Sequence, residues 1–190
     1  ARLWRHPSVL ADLRALFGVL ARRVTHLPTA LSEPADVPLS LHARYSRLEL
    51  LAAYGDGAED TVQVPTWREG VKDVKGAATD VFVFTLDKTD GVFSPTTRYN
   101  DYAISPDLIH WESQSTTTAD SPTGRRYQTH ASIGRQVHLF ARVSGDERAF
   151  YFLGPATYVS HTDEKPMKIT WRLHHPLPGD LFAAFAAAVA

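Results

Sequence analysis

Residues 80–86 read Asp-Val-Phe-Val-Phe-Thr-Leu, and this run decides the class of domain the chain builds. It is apolar, β-branched and aromatic, and too short for an ordinary helix, so it reads as a strand. Working downstream, Tyr99–Ile104, Gln136–Val143, Ala149–Leu153, Thr157–Ser160 and Lys168–Leu173 are similar short strand candidates. Turn signals separate them: Asp90-Gly91, Ser121-Pro122, Ser144-Gly145-Asp146 and the stretch from Asp163 to Pro166. Val137–Ala141 and Phe150–Leu153 flank a tight polar turn, which predicts an antiparallel hairpin.

Upstream the period changes from two to 3.6. Leu10, Leu13, Phe17, Leu20 and Val24 recur at helical spacing behind Pro7 and Ser8, with Arg14, Arg22 and Arg23 off that stripe. Such a stripe needs something to pack on. Residues 27–38 break the pattern with Pro28, Pro34 and Pro38 and read as a linker or an extended surface crossing. Ser46 and Glu49 form a capping box ahead of Leu50, Leu51 and Tyr54, with Gly55 placed to end that helix. Asp180–Val189 reads as a last helix. Helices first and strands after predict an α+β domain with a mostly antiparallel sheet and helices at both ends. The close spacing of the strands leaves closure into a small barrel open. The expected division is a helical lead-in and Pro-rich linker over 1–35, then a strand-rich domain over 36–190.

Composition narrows the chemistry. The 190 residues, 44% hydrophobic and 22% charged, suit one folded domain rather than a disordered or coiled-coil chain. The absence of Cys excludes disulfides, thiolate metal sites and a Cys nucleophile, and fits a reducing, cytoplasmic setting. A formal net charge of -1 excludes whole-protein attraction to nucleic acid but not a local basic face. Of the basic residues 15 are Arg and 5 are Lys; Arg favours bidentate contacts to carboxylate or phosphate, though codon usage in a GC-rich genome gives the same bias. No apolar run approaches the ~20 residues of a membrane span, so no membrane partner is expected. The chain begins Ala1-Arg2-Leu3 rather than with Met, which reads as a piece of something longer.

The densest chemistry lies between Ser94 and His130. This stretch holds Tyr99, Tyr102, Trp111 and Tyr127, the arginines 98, 125 and 126, the histidines 110 and 130, and hydroxyls from Ser113 to Thr123. Hydroxyls and guanidiniums hold phosphates, and aromatic faces stack on bases or line a pocket. The structural alternative makes Tyr127 and Trp111 core residues, pairs Arg98 with Asp101, and leaves the hydroxyl run as an exposed loop. Arg44 and Arg47 flank a helix start, where positive charge is mildly unfavourable, so they are also contact candidates. Pro106-Asp107 with Glu112-Ser113-Gln114 is too tightly spaced for a metal-dependent nuclease, which needs its acids on separate strands, and Gln114 stands at the Lys position. No His-Glu-x-x-His, phosphate-binding Gly-Lys loop, nucleophile elbow or dinucleotide fingerprint is present. No catalytic residue, metal or cofactor is therefore expected.

Several segments together resemble a known family. They are 37–55, 80–117, 121–130, the pair His138–Val143 and Phe150–Val159, and 166–178. They resemble the uncharacterised C-terminal domain that follows DEAD/DEAH-box helicase cores in bacterial proteins, often with a phospholipase-D-like nuclease domain at the far N-terminus. The resemblance implies a restriction or defence setting, with helicase and nuclease domains as partners in cis. In that setting a C-terminal module without a catalytic signature is a natural candidate for the part that chooses the target, reading double-stranded DNA that carries a modified base or a phosphorothioate backbone. A sulfur-reading pocket should be apolar at its base and basic at its rim. Candidate DNA contacts are Ser94, Pro95, Arg98, Tyr99, Tyr102, Pro122, Arg125, Arg126, Tyr127, His130, Arg44 and Arg47. The DNA reading expects Arg98, Arg125 and Arg126 on one exposed face. The alternative is a docking module for the helicase core or a partner protein, which expects an exposed apolar surface on the first helix or the Ala-rich C-terminus.

Overall fold

The computed structural model describes residues 3–23, 26–31, 37–55, 67–87 and 100–189. Ten strands and four α-helices are present among them. A short 3-10 turn, Leu3–Arg5, leads into α1, Pro7–Arg23. The strands β1 (Thr29–Ala30) and β2 (Ser40–Leu41) pair with each other, and β3 (Arg44–Ser46) leads directly into α2 (Arg47–Ala53). Then come β4 (Val71–Val74), β5 (Thr79–Thr85), β6 (Tyr102–Ser105) and β7 (Leu108–Glu112). After α3 (Pro122–Thr129) follow β8 (Gln136–Arg142), β9 (Ala149–Thr162) and β10 (Lys168–Leu173), and α4 (Gly179–Ala187) closes the order.

Eight strands form the main sheet in the order β4-β5-β8-β9-β10-β7-β6, with β3 also paired to β9. The pairs are antiparallel except β5 with β8, which run parallel. The fold is α+β, as the order of helical and strand periods predicts. The sheet does not close into a barrel: β4 and β6 remain its two ends. It does curl. Phe82 on β5 stacks on Trp111 of β7 with ring centroids 4.4 Å apart, although β8, β9 and β10 lie between them in the sheet.

The run at 80–86 is apolar without a break from Val81 to Phe84 because both faces of the strand are covered there, as in buried sheets generally. Phe82, Phe84 and Leu86 join one core with Trp111, Tyr127, Met167, Trp171 and Phe185. Val81 and Val83 join a second core with Leu50, Leu51, Trp67, Phe140, Phe150 and Phe152. Each fully buried side chain of this kind contributes about 1.5–3 kcal/mol. α4 buries Leu181 and Phe185 in the first core, and α2 buries Leu50 and Leu51 in the second.

Details of the predicted elements differ in instructive ways. The two candidates Ala149–Leu153 and Thr157–Ser160 are parts of one strand, β9, carried through Gly154 and Pro155. Gly154 has φ +96°, and a Cβ there would lie 2.7 Å from Leu41 Cδ1, so glycine is required at this irregular point in the β8–β9 register. β7 and α3 were not among the expected elements. The mixed pattern of β7, with Ile109 and Trp111 toward the core, is interrupted by His110. The strand also separates Asp107, in the turn before it, from Glu112 at its far end by five residues, ~16 Å of extended chain, which disposes of a shared cation.

Candidate nucleic-acid interface

A cavity of about 330 Å³ opens where the curled sheet brings β5 towards β7. Its apolar walls come from Val83 and Phe84 of β5, Trp111 of β7 and Phe150 of β9. Arg47, Arg68 and Arg142 supply positive charge, and Asp101, Glu112 and Gln114 line the β7 side.

Arg47 and Arg142 are each placed by a local device. Ser46 caps α2: its Oγ accepts the Glu49 N–H, and the Glu49 carboxylate accepts the Ser46 N–H at 2.7 Å. This box sets Arg47 as the first helical residue. Its Nη1 donates to the carbonyls of Glu69 at 2.6 Å and Trp67 at 3.4 Å. Its guanidinium carbon lies 5.0 Å from the Trp67 ring centroid and 5.5 Å from that of Phe150. Arg142 ends β8. Its Nε donates to Thr85 Oγ1 at 2.8 Å, its Nη1 to the Glu147 carbonyl, and its guanidinium carbon is 4.7 Å from the Phe150 centroid.

Phe150 therefore contacts two guanidiniums. Among the described residues their partners are carbonyls, a hydroxyl and rings, not carboxylates. Burial lowers the pKa of both and the charge of Arg142 lowers that of Arg47 further, against smaller opposite effects of Glu69 on Arg47 and of Glu147 and Asp146 on Arg142. Both remain cationic, since guanidinium does not deprotonate in proteins. Two partly desolvated like charges whose hydrogen bonds go to neutral groups, with Glu69, Glu147 and Asp146 offsetting part of their charge, can still attract an anion.

The cavity lies inside a stretch of recognisable family sequence. A family model described as a domain of unknown function, DUF3427, matches residues 39–185. The chain belongs to the DUF3427 family. No curated protein matches it. Every residue lining the cavity falls inside the DUF3427 region, whereas α1 precedes it.

The sequence candidates fall in different places around this DUF3427 fold. Ser94, Pro95, Arg98 and Tyr99 lie outside the described residues, as does any pairing of Arg98. Arg47 lines the cavity. Arg44 is nearby on β3, paired to Glu147 at 3.4 Å with its guanidinium 5.1 Å from the Tyr151 ring centroid. Tyr102 lies on the end strand β6, stacked on His110 with centroids 4.6 Å apart.

The α3 candidates have structural partners. Ser121 caps α3 by accepting the Gly124 N–H at 3.1 Å, and Pro122 starts the helix, where proline's missing N–H costs nothing. Tyr127 is buried, edge-on to Phe82 and Trp171, and burial raises its pKa. Arg126 bridges to the fully buried Asp80 at 3.1 Å and lies 3.8 Å from Asp73, with Arg135 completing the group. His130 is buried: its Nδ1 meets the Arg135 carbonyl at 3.2 Å and its Nε2 accepts the Tyr158 N–H at 3.2 Å. Both ring nitrogens are committed in the neutral tautomer, and burial lowers its pKa. Arg125 is well exposed, 3.5 Å from Asp120, and Pro122 is exposed too. The expected common face is therefore not formed by Arg125 and Arg126, because Asp80 draws Arg126 inward.

Arg142, Arg68, Phe150 and Phe84 also line the cavity and are not among the sequence candidates, while Trp111 belongs to the Ser94–His130 stretch but not to the candidate contacts. The available signal was an arginine ending one apolar strand and a phenylalanine near the start of the next. Among the described residues, no group of three or more His, Asp or Glu is placed to hold a metal ion, and no helix is long and apolar enough to cross a membrane.

Proposed function

We propose that this domain is a non-catalytic DNA-binding specificity module of a helicase–nuclease defence protein, working in the cytoplasm on double-stranded DNA that carries a modification. The observation that carries this reading is the pair Arg47 and Arg142 on Phe150, at the rim of an aromatic-walled cavity. That site has the apolar base and basic rim expected of a sulfur-reading pocket, with Asp101, Trp111, Glu112 and Gln114 as its contribution from the stretch between Ser94 and His130 and its arginines from elsewhere. Helicase and nuclease domains in cis would supply translocation and cleavage; this domain would choose the target.

The test is fluorescence anisotropy with short duplexes of one sequence, unmodified, base-methylated or phosphorothioate-bearing, at low and physiological salt. A reader binds one modified duplex at least about tenfold tighter than the unmodified one. Its affinity falls with salt as phosphate contacts release counterions. Absence of binding to every duplex at low salt would sink the reading.

A second reading, docking to the helicase core or a partner protein, is favoured by α1. Leu16, Phe17, Val19 and Leu20 are all exposed on it, Phe17 by 62%. Apolar side chains of this size in a contiguous patch mark interaction surfaces. Pull-down by the helicase core, abolished by Phe17→Ser with DNA affinity unchanged, would support docking as a separate activity of that helix.

A further inference from the structure

We propose that the cavity receives a single nucleotide turned out of the duplex, its base along the apolar wall of Val83, Phe84, Trp111 and Phe150 and its phosphate on Arg47 and Arg142. This rests on the DNA-binding reading above and identifies which chemical unit that site takes.

A backbone mark on a continuous duplex can be read by a surface, because the phosphate already projects. A recess of about 330 Å³ walled by rings lies within the size range of sites that enclose a small planar ligand. A base can enter such a recess only after leaving the stack.

Charge divides the cavity in two. Arg47 and Arg142 sit at the end of the cavity formed by α2, β8 and β9. Glu112 and Asp101 belong to the β7 side, with the Glu112 N–H donating to Asp101 Oδ1 at 2.9 Å. Carboxylates repel a phosphate, so the anion belongs at the arginine end. The uncharged part of the ligand then lies across the rings. A nucleotide has this polarity: one anionic end and one planar, stackable end. The mark that the domain distinguishes is accordingly carried by the base and not by the phosphorus.

The test compares duplexes in which one target nucleotide is either paired or opposite an abasic site, which lowers the cost of extrusion. A 2-aminopurine placed beside the target reports by increased emission when its neighbour leaves the stack. The expected result is at least about tenfold tighter binding to the unpaired target, with an emission rise on binding the paired one. Gly70→Leu is the blocking variant: Gly70 lines the cavity, and a Cβ there meets only the Val83 carbonyl oxygen, at 3.4 Å. It should abolish both the preference and the emission rise while its melting temperature stays close to the parent's. Should that variant fail to fold, Arg142→Gln is read instead, with loss of the preference expected. Binding to all duplexes without preference or emission change overturns the extruded-nucleotide proposal and leaves DNA binding standing. Selective binding of a phosphorothioate duplex without an emission change also overturns it. No binding to any duplex overturns the DNA reading, and this proposal with it.

Discussion

The helices α2 and α3 begin alike and serve opposite ends. Each is capped by a serine, Ser46 or Ser121, and each sets an arginine against an aromatic ring. Arg47 lies 5.0 Å from the Trp67 centroid and Arg126 5.6 Å from that of Tyr127. The difference is in what the sheet offers them. Arg126 meets Asp80 and Asp73, on β5 and β4. Arg47 meets carbonyls and a second guanidinium's ring partner, Phe150. A buried, acid-paired arginine holds the fold together, whereas one hydrogen-bonded only to neutral groups, with its nearest acids not in direct ion pairs, retains more of its attraction for an outside anion.

Removing the acid tests the first half of that comparison and should have the largest effect. Asp80 is fully buried and contacts both Arg126 and Arg135. Asp80→Asn leaves two guanidiniums close together without their main counter-charge, and should cost about 3–5 kcal/mol in urea denaturation. A loss below about 1 kcal/mol would mean that the α3 arginines are not structural, and the contrast with α2 would collapse.

Acid titration sharpens the comparison from the α2 side, where the buried polar groups are neutral. The Tyr54 hydroxyl donates to His138 Nδ1 at 2.6 Å, and His138 Nε2–H donates to Gln136 Oε1 at 2.8 Å. Burial, with a smaller contribution from His174, pushes the His138 pKa down to about 4. His42 is also brought down to about 4, by burial first and then by His26 and His175. The folded state therefore takes up these protons later than the unfolded chain. Stability should be complete above pH ~6.5 and fall by about 1.4 kcal/mol per unit for each histidine as the pH drops towards 4. For His138 the whole loss is roughly 3 kcal/mol, levelling off below its folded pKa. Melting temperatures across this range would measure it, and His138→Gln should flatten the slope by one group's share.

On binding the order of the two helices reverses. Arg142→Gln and Arg47→Gln each remove a ring contact and hydrogen bonds to neutral groups, for a stability change of about 1 kcal/mol. Each should nevertheless weaken duplex binding by about tenfold and reduce the salt slope by roughly one phosphate's worth. Anisotropy titrations at several salt concentrations separate the two effects. Unchanged affinity in both variants would remove the cavity from the interface.

Much of the sheet was legible in the sequence because local signals and tertiary outcome agree there. The run at 80–86, the Val137–Leu153 hairpin, strand β10 and the Ser46 capping box are each specified by neighbours in the chain. The curl was not legible, because stacking of Phe82 on Trp111 depends on the order of strands between them. The candidate site suffers most from this. Tyr127 and Arg126 have the residue types of a DNA contact, but whether they face solvent is decided by β5, 46 residues from Arg126 at its Asp80 contact. Arg142 looks like the polar end of a strand until β9 sets Phe150 against its guanidinium and its hydrogen bonds go to a hydroxyl and a carbonyl, with Glu147 and Asp146 nearby. Composition identifies groups that can bind a phosphate; only topology decides which of them are already neutralised.

The smallest expected effect is at Arg125, and it tests where the interface ends. Arg125 and its partner Asp120 are 69% and 92% exposed, at 3.5 Å. An exposed pair of this kind is worth about 0.5 kcal/mol or less, so Arg125→Ala should barely move the denaturation midpoint. It does not line the cavity, so the affinity for a modified duplex should also stay within about twofold, a difference of ~0.4 kcal/mol. A tenfold loss would instead extend the DNA footprint onto α3, with Arg125 as its exposed cation and Arg126 as the strut behind it. The contrast between the two helices would then lie in how they divide one interface, rather than in which of them forms it.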